Sequence, residues 1–308
     1  MELRRIETFG VLGAGTLGWR IGLRAALSGY AVLTHDISPA QLGRAAGFQR
    51  DFADRLVRKS AVTRAEADAA LGRLASTPDA EAFANAVDFV SESVTEDLDL
   101  KRRVWSGLRG AWRRGAILTT NTSYLLPSDL VDAVGEPARF CAFHFHDVFE
   151  ARVVDVMPHP ATAPEVVARL TSLGRELAQV PVHVRRETRG YLFNHMLMAY
   201  LGAAGQLLAR DKAGVEDIDR SWMGNLGVRI GPFGMMDQIG LDTVDHVLRT
   251  RTDARSRAFR ELIAPMLAAG HLGVKSGRGF YRYPRPAYAA PDFLAGPSSA
   301  TAHESSGA

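Results

Sequence analysis

The sequence contains little cysteine, little lysine and no long apolar run. Cys141 is the one cysteine among 308 residues, which excludes an intrachain disulfide framework and a zinc site built from cysteines. Only four of the 37 basic residues are lysines, and no dense basic block indicates nucleic-acid binding. No apolar segment reaches the roughly 20 residues of a membrane-spanning helix. We therefore expect a globular protein, and the low cysteine content favours the reducing cytoplasm.

The first residues have some features of a secretory signal, because two arginines (Arg4 and Arg5) precede an apolar stretch. Arg20 and Arg24 interrupt that stretch, and no cleavage pattern of small residues follows it. We therefore predict that this region is a strand that leads into a helix.

The composition is typical of a folded protein of about two domains. Hydrophobic residues make up 46% of the chain and charged residues 23%, with a net charge of +3. Apolar runs separated by helical periodicity predict strands at residues 6–12, 31–36, 89–94, 116–120, 140–145 and 153–157. Helices are predicted at residues 16–27, 41–74 and 98–107. This alternation predicts an α/β domain with a parallel sheet that helices cover on both faces.

The pattern changes after Val184, where helical periodicity alone continues, beginning with an apolar helix at residues 191–208. We predict an α/β domain at residues 1–186 and an all-α domain at residues 187–284. Residues 285–308 are rich in proline, alanine, serine and glycine, and we expect them to form a mobile tail.

A dinucleotide-binding motif lies between the first strand and the first helix. Residues 13–18 fit G-x-G-x-x-G. In such a motif Gly13 permits the tight turn, Gly15 lets a pyrophosphate approach, and Gly18 allows close helix–strand packing. Thr16 and Leu17 open the helix whose N-terminus faces the pyrophosphate. Asp36 ends the second strand, where a carboxylate can bind a ribose 2′-hydroxyl, so the motif favours NAD over NADP.

Several segments resemble the L-3-hydroxyacyl-CoA dehydrogenase family over about residues 6–284. The resemblance is carried by residues 13–18, 96–101, Asn121-Thr122-Ser123, His144-Phe145, Gly190-Tyr191-Leu192-Phe193-Asn194, Gly231-Pro232-Phe233, residues 240–243 and residues 273–281. It implies a Rossmann-type N-terminal domain, a helical C-terminal domain that usually forms a homodimer, and NAD-dependent oxidation of a 3-hydroxyacyl thioester.

The resemblance implies four catalytic residues. His144 takes the position of the general base, and Asp155 replaces the glutamate that orients it, one residue earlier and one methylene shorter. Ser123 and Asn194 match residues that hydrogen-bond the substrate's oxygen atoms. Asp155 lies among valines and Asn194 lies in an apolar helix, and a buried carboxylate or amide needs a hydrogen-bond partner. This favours a functional role for both residues. Ser123 could alternatively cap a helix.

The resemblance also implies contacts with the cofactor and with the carrier of the acyl group. Glu96, Lys101 and Lys275 match positions beside the nicotinamide half of NAD, and Ser123 is placed there too. Asp147 stands where the family has an asparagine that contacts the nicotinamide. Lys59 matches a lysine that touches CoA.

Departures from the family cluster around the expected substrate pocket. The family reads His-Phe-Phe-Asn-Pro where this chain reads His144-Phe145-His146-Asp147-Val148. Phe52 replaces a serine that contacts CoA. We therefore expect the acyl group or its carrier to differ from a common short-chain CoA ester.

Three alternatives stay open at this point. One is oxidation of a 3-hydroxyacyl group, such as a glyceryl unit, on an acyl carrier protein in polyketide extender-unit biosynthesis. Another is a catalytically silent relative that keeps the fold. The third is a metal site, because His144 and His146 lie on one face of a strand beside Asp147, although a metal needs three or four ligands. We predict no metal.

Overall fold

The computed structural model describes residues 3–249 and 254–296, and the chain divides into two compact units between Leu192 and Phe193. The first unit is an eight-stranded sheet with helices, and the second is helical. This confirms the predicted fold class of a Rossmann-type domain followed by an all-α domain. The division lies a few residues beyond the predicted one at residue 186.

The strands of the first unit form one sheet in the order β3-β2-β1-β4-β5-β6-β7-β8. They are β1 Thr8–Leu12, β2 Ala31–His35, β3 Leu74–Thr77, β4 Phe89–Glu92, β5 Ile117–Thr120, β6 Phe140–Phe145, β7 Val153–Met157 and β8 Val180–His183. Its α-helices are α1 Thr16–Leu27, α2 Pro39–Arg58, α3 Arg64–Leu71, α4 Ala80–Ala86, α5 Leu98–Gly107, α6 Val131–Val134 and α7 Pro164–Glu176.

Both faces of the sheet are buried. Successive side chains of a strand point to opposite faces, and the apolar residues follow this alternation. Phe89 and Ile117 belong to one hydrophobic cluster, whereas Val90 and Leu118 belong to another. The near-continuous apolar strands that suggested a doubly covered sheet are explained by this arrangement.

One pair of strands departs from the predicted parallel sheet. β6 and β7 are antiparallel, and His144 pairs with Asp155 in register. The loop between Phe145 and Val153 is too short for the crossover of about a dozen residues that a parallel pair needs. The functional consequence is that His144 and Asp155 lie directly opposite each other.

The predicted helix at residues 41–74 is wrong in its length. Two helices, α2 and α3, occupy this segment. Thr63 is the N-cap of α3 and forms a capping box with Glu66. Ser60, between the two helices, has a positive φ of 54°. The chain then enters β3, a short and partly exposed edge strand that the apolar pattern did not reveal.

The second unit contains five α-helices among its described residues. They are α8 Phe193–Ala209, α9 Val215–Leu226, α10 Pro232–Ile239, α11 Leu241–Arg249 and α12 Ala254–Ala268. α8 begins at Phe193 and not at Tyr191 as predicted, because Gly190 and Tyr191 both have left-handed backbones, with φ of 77° and 52°. No helix among the described residues is long and apolar enough to cross a bilayer.

The segment expected to be a mobile tail begins with two short 3-10 turns, Ala287–Ala289 and Phe293–Ala295. Phe293 is buried, and the Arg220 guanidinium lies 4.8 Å from its ring centroid. Arg220 also donates a hydrogen bond to the carbonyl oxygen of Phe293. Residues 297–308 of the predicted tail lie outside the described residues.

Candidate active site

The glycine motif forms the turn that the sequence predicted. Gly13 has φ of +105°, and its N–H donates to the carbonyl oxygen of His35. A Cβ on Gly18 would lie 1.9 Å from the carbonyl oxygen of Gly13, so any side chain there would separate α1 from β1. A Cβ on Gly15 would meet only the Ser93 carbonyl oxygen, at 4.0 Å. Gly15 therefore leaves open space at the N-terminus of α1, as a pyrophosphate requires.

Asp36 organises the end of β2. Its carboxylate accepts hydrogen bonds from the N–H groups of Ala14, at 3.0 Å, and Ser38, at 2.9 Å. A cavity of about 560 Å³ extends from here, and Gly13, Gly15 and Asp36 line it. This volume lies in the range of small-molecule sites, so the residues predicted for the adenosine half of a dinucleotide surround a cavity of suitable size.

Replacing Gly15 with alanine tests this cradle. Because the new Cβ has room, we expect the unfolding midpoint to stay unchanged while NAD affinity falls at least about tenfold, or about 1.4 kcal/mol. Gly43→Ala is the matched control, since Gly43 is an exposed helical glycine and a Cβ added there would have no atom within 4 Å. Titration of both variants by NAD-induced protein fluorescence quenching gives the affinities. Equal NAD affinity of Gly15→Ala and the unaltered chain would place the pyrophosphate elsewhere.

His144 and Asp155 form the centre of a second group of polar residues. His144 Nδ1 is 3.2 Å from Asp155 Oδ2, and His144 Nε2 is 3.2 Å from Ser123 Oγ. His144 is 2% exposed and Asp155 is 1% exposed, so the protein largely excludes solvent from the pair. A carboxylate accepts only, which assigns the proton to Nδ1 and leaves the lone pair of Nε2 towards Ser123.

Tyr191 holds the imidazole from one side. Its ring stacks on His144 with centroids 4.5 Å apart and planes 12° apart, and its hydroxyl donates to the Thr122 carbonyl oxygen at 2.8 Å. The sequence interpretation placed Tyr191 in a helix and assigned it no role in the site. Its neighbour Gly190 was the available signal, because glycine marks positions where the chain leaves a regular element.

The pKa values of the pair favour the charges that a base and its orienting carboxylate need. Burial lowers the pKa of His144 below 6.5, and this outweighs the hydrogen bond that Nδ1 donates to Asp155, so the imidazole is neutral at neutral pH. Burial alone would raise the pKa of Asp155. The hydrogen bonds from His144 and His146 outweigh that effect and lower it, so the carboxylate stays ionised.

Glu96 positions Ser123. Its carboxylate accepts hydrogen bonds from the N–H groups of Ser123, at 2.9 Å, and Tyr124, at 3.0 Å, and from the hydroxyl of Thr122. Lys101 is 1% exposed and lies 3.5 Å from Glu96. These contacts hold the loop after β5 beside His144.

Lys101 has a second carboxylate partner that the sequence interpretation missed. Its ammonium donates to Glu92 at 2.6 Å, and Glu92 also accepts from the Thr120 hydroxyl. A buried lysine needs such a partner, and Glu92 at the end of a buried strand was its sequence signal.

Asp147 is paired with an arginine. Arg20 donates to its carboxylate, and the other carboxylate oxygen accepts from the N–H groups of Phe149 and Glu150. The Arg20 guanidinium also lies 5.7 Å from the Phe52 ring centroid. Two residues that depart from the family, Phe52 and Asp147, are therefore linked through Arg20.

Three further predicted residues belong to other elements of the chain. Lys59 is exposed at the end of α2. Asn194 and Lys275 belong to the second unit, where Asn194 is the second residue of α8 and Lys275 donates to Asp242 at 2.6 Å.

The one group of three metal-ligating side chains found among the described residues is His144, His146 and Asp155. Their ligand atoms lie within 4.8 Å of one another. The third member is Asp155, and not Asp147 as the sequence pattern suggested. Asp155 accepts hydrogen bonds from both imidazoles, and these bonds explain the short distances without a metal.

Two family models match the chain. The NAD binding domain of 3-hydroxyacyl-CoA dehydrogenase matches residues 8–188, and the C-terminal domain of 3-hydroxyacyl-CoA dehydrogenase matches residues 190–283. The chain belongs to the 3-hydroxyacyl-CoA dehydrogenase family. Membership confirms the predicted resemblance and makes this dehydrogenase an NAD-dependent oxidoreductase.

Individual relatives agree with the family. A probable 3-hydroxyacyl-CoA dehydrogenase of Caenorhabditis elegans is 28% identical over 91% of this chain and 97% of its own length. The solved structure of (S)-3-hydroxybutyryl-CoA dehydrogenase from Ralstonia eutropha is 31% identical, with a TM-score of 0.83, over 91% of this chain and 100% of that chain. A diketoreductase that acts on dicarbonyl compounds is 33% identical, with a TM-score of 0.84 and the same coverage.

Proposed function

We propose that this dehydrogenase oxidises the 3-hydroxyl of an L-3-hydroxyacyl thioester to the 3-keto form, or catalyses the reverse reduction, with His144 as the general base. The observation that carries the proposal is the geometry of His144, whose Nδ1 is held by Asp155 while Nε2 faces Ser123. Bound NAD supplies the acceptor for the hydride that leaves C3.

Four side chains carry out proton transfer and substrate binding in this proposal. His144 Nε2 takes the hydroxyl proton, and the Asp155 carboxylate stabilises the imidazolium that forms. Ser123 and Asn194 hydrogen-bond the substrate's oxygen atoms. Glu96 holds Ser123 beside His144 Nε2. The Ser123 hydroxyl and Nε2 can then both hydrogen-bond one oxygen atom of the substrate. In the reverse direction the imidazolium returns the proton.

We assign the cofactor contacts by proposal as well. Gly13, Gly15, Thr16, Leu17 and Gly18 surround the pyrophosphate, and Asp36 binds the adenosine ribose. The nicotinamide half is assigned to Glu96, Lys101, Ser123, Asp147 and Lys275. Of these, Lys101 acts through Glu96, since it is buried, and Asp147 acts together with Arg20. Lys59 is assigned to a phosphate of the acyl carrier.

The low pKa of His144 sets the pH dependence. Oxidation needs the neutral imidazole, which is lost only as pH falls through the lowered pKa of the folded protein. We therefore expect the acid limb of kcat/KM for oxidation to lie below pH 6.5, the ordinary value for histidine. Initial rates of NADH formation between pH 5 and pH 8 measure it. An acid limb above pH 7 would contradict a buried His144 as the base.

The carrier of the acyl group is tested by offering each acyl group in two forms. L-3-Hydroxybutyryl and glyceryl groups are each presented as the CoA thioester and on an acyl carrier protein, with NADH absorbance as readout. The family favours CoA. A second candidate is the carrier protein, because Phe52 replaces the serine that contacts CoA in the family and lies beside the Arg20–Asp147 pair. Turnover on one form alone decides between them, and NAD binding without turnover on either form would indicate a silent relative.

We also propose a homodimer through the second unit. One side of α8 exposes apolar residues at helical spacing, with Phe193 51%, Met196 63% and Leu207 47% exposed. Light scattering should give about twice the chain mass of 33.4 kDa. Met196→Glu should yield the monomer, whereas Val180→Glu, an equally apolar exposed position on edge strand β8, should stay dimeric. A monomeric unaltered chain at micromolar concentration would remove the proposal.

We place the protein in the cytoplasm by proposal. Cys141 is the one cysteine of the sequence, so the chain needs no oxidising compartment to form an intrachain disulfide. Cell fractionation with an antibody to the chain tests the location.

A further inference from the structure

Two imidazoles share one oxygen of the Asp155 carboxylate. His146 Nε2 lies 2.8 Å from Asp155 Oδ2, closer than His144 Nδ1, which lies 3.2 Å from the same atom. His144 lies in β6, and His146 is the first residue after the end of that strand at Phe145. Their ring centroids are 4.6 Å apart with planes at 70°. The orienting carboxylate is thus held at least as closely by His146 as by His144.

A second donor meets a need that the sequence itself creates. Asp155 is one methylene shorter than the glutamate of the family, and it is buried as an anion on an apolar strand. A buried carboxylate with a single neutral donor is poorly compensated, and a second hydrogen bond both stabilises its charge and restricts its rotation. The family has phenylalanine, which donates no hydrogen bond, where this chain has His146. The shorter acid and the additional histidine therefore act together.

We propose that His146 is a positioning residue of this site, which anchors the Asp155 carboxylate through Nε2 beside the His144 imidazole. The proposal rests on the proposed role of His144 as the base. In this arrangement one oxygen of Asp155 accepts hydrogen bonds from two rings.

The charges around His144 give the sign of the effect. Asp155 and the more distant Glu96 both raise the pKa of His144, whereas positive charge on His146 lowers it. Lys101 neutralises part of the Glu96 charge, and burial keeps the Tyr191 hydroxyl neutral by raising its pKa. Without His146, the whole Asp155 charge acts on His144. The pKa of His144 should then rise.

Two variants test the hydrogen bond from His146 to Asp155. His146→Phe removes it and introduces the residue that the family has. His146→Gln keeps a donor at the position of Nε2. For His146→Phe we expect kcat to fall about tenfold and the acid limb of the kcat/KM profile to move up by about half a pH unit or more. For His146→Gln we expect both kcat and the acid limb to stay close to those of the unaltered enzyme.

A second readout does not depend on turnover. Ring ¹⁵N chemical shifts of the histidines are followed by NMR against pH, with the signals of His144 and His146 assigned from His144→Ala and His146→Gln. In His146→Phe, the His144 curve should move to higher pH, because Asp155 then accepts from His144 alone. In His146→Gln, the His144 curve should stay close to that of the unaltered protein.

Several outcomes would overturn the inference. These are a His144 curve and an acid limb that His146→Phe leaves unmoved, or a kcat of His146→Gln as low as that of His146→Phe. Activity that a chelator abolishes would show that the three groups hold a metal instead. A His144 curve that His146→Phe moves, in a protein whose His144→Ala variant keeps full activity, would leave the anchoring of Asp155 standing and would reject only the proposed base.

Discussion

Replacing His144 with alanine is expected to lower kcat for oxidation by about 10²–10⁴-fold, the usual range for loss of a general base. His144 Nε2 is the neutral, oriented nitrogen next to Ser123 Oγ. Without it, the hydroxyl proton has no acceptor of suitable basicity at neutral pH. NAD affinity should be unchanged, because the cavity lined by Gly13, Gly15 and Asp36 does not include His144.

His159→Ala is the matched control for this experiment. His159 is also a buried histidine, and burial lowers its pKa too, but its Nε2 lies 2.9 Å from the carbonyl oxygen of Pro137 and its ring packs near Phe140, at the opposite end of β6. We expect this variant to lose stability and to keep kcat. A His144→Ala enzyme as fast as His159→Ala would place the proton transfer on another group.

The Asp155→Asn substitution is expected to lower kcat by at least about 10²-fold with little change in volume. The carboxylate accepts from Nδ1–H and so keeps the lone pair on Nε2. An amide can donate to Nδ1 instead, which stabilises the tautomer that has its proton on Nε2 and cannot act as a base. The amide also lacks the charge that stabilises the imidazolium. Steady-state rates of NADH formation measure the loss, and circular dichroism during heating shows whether the fold is retained.

The control for Asp155→Asn is Asp88→Asn. Asp88 is a buried carboxylate just before β4, where its partners are Arg4, Arg113 and the N–H groups of Glu7 and Thr8. It has no contact with His144 among the described residues. The substitution should lower the free energy of unfolding and leave kcat unchanged. If kcat falls in both variants in proportion to their loss of unfolding free energy, Asp155 has a structural role and not a catalytic one.

The features predicted correctly from the sequence depend on local geometry or on the cost of burial. The glycine turn and Asp36 were predictable because the turn, the helix N-terminus and the end of β2 lie within 36 residues. Asp155 was singled out because a lone charge among valines needs a partner, and the structure pairs it with His144.

The features missed depend on long-range pairing or on unusual backbone conformations. The antiparallel register of β6 and β7 places His144 opposite Asp155, and His146, just beyond β6, hydrogen-bonds the same carboxylate. The expectation of a parallel sheet concealed this arrangement. The stacking of Tyr191 on His144 requires two consecutive left-handed residues, which periodicity cannot show. The partner of Asp147 is Arg20, 127 positions away in the chain, and no local pattern links them.

The most direct test of the account is NADH formation by the purified enzyme with the two enantiomers of 3-hydroxybutyryl-CoA and of the corresponding carrier-protein thioester. The account predicts that the L enantiomer, on at least one carrier, gives one NADH for each 3-keto product, with the D enantiomer inactive. A protein that binds NAD and forms no NADH from any 3-hydroxyacyl thioester would contradict it.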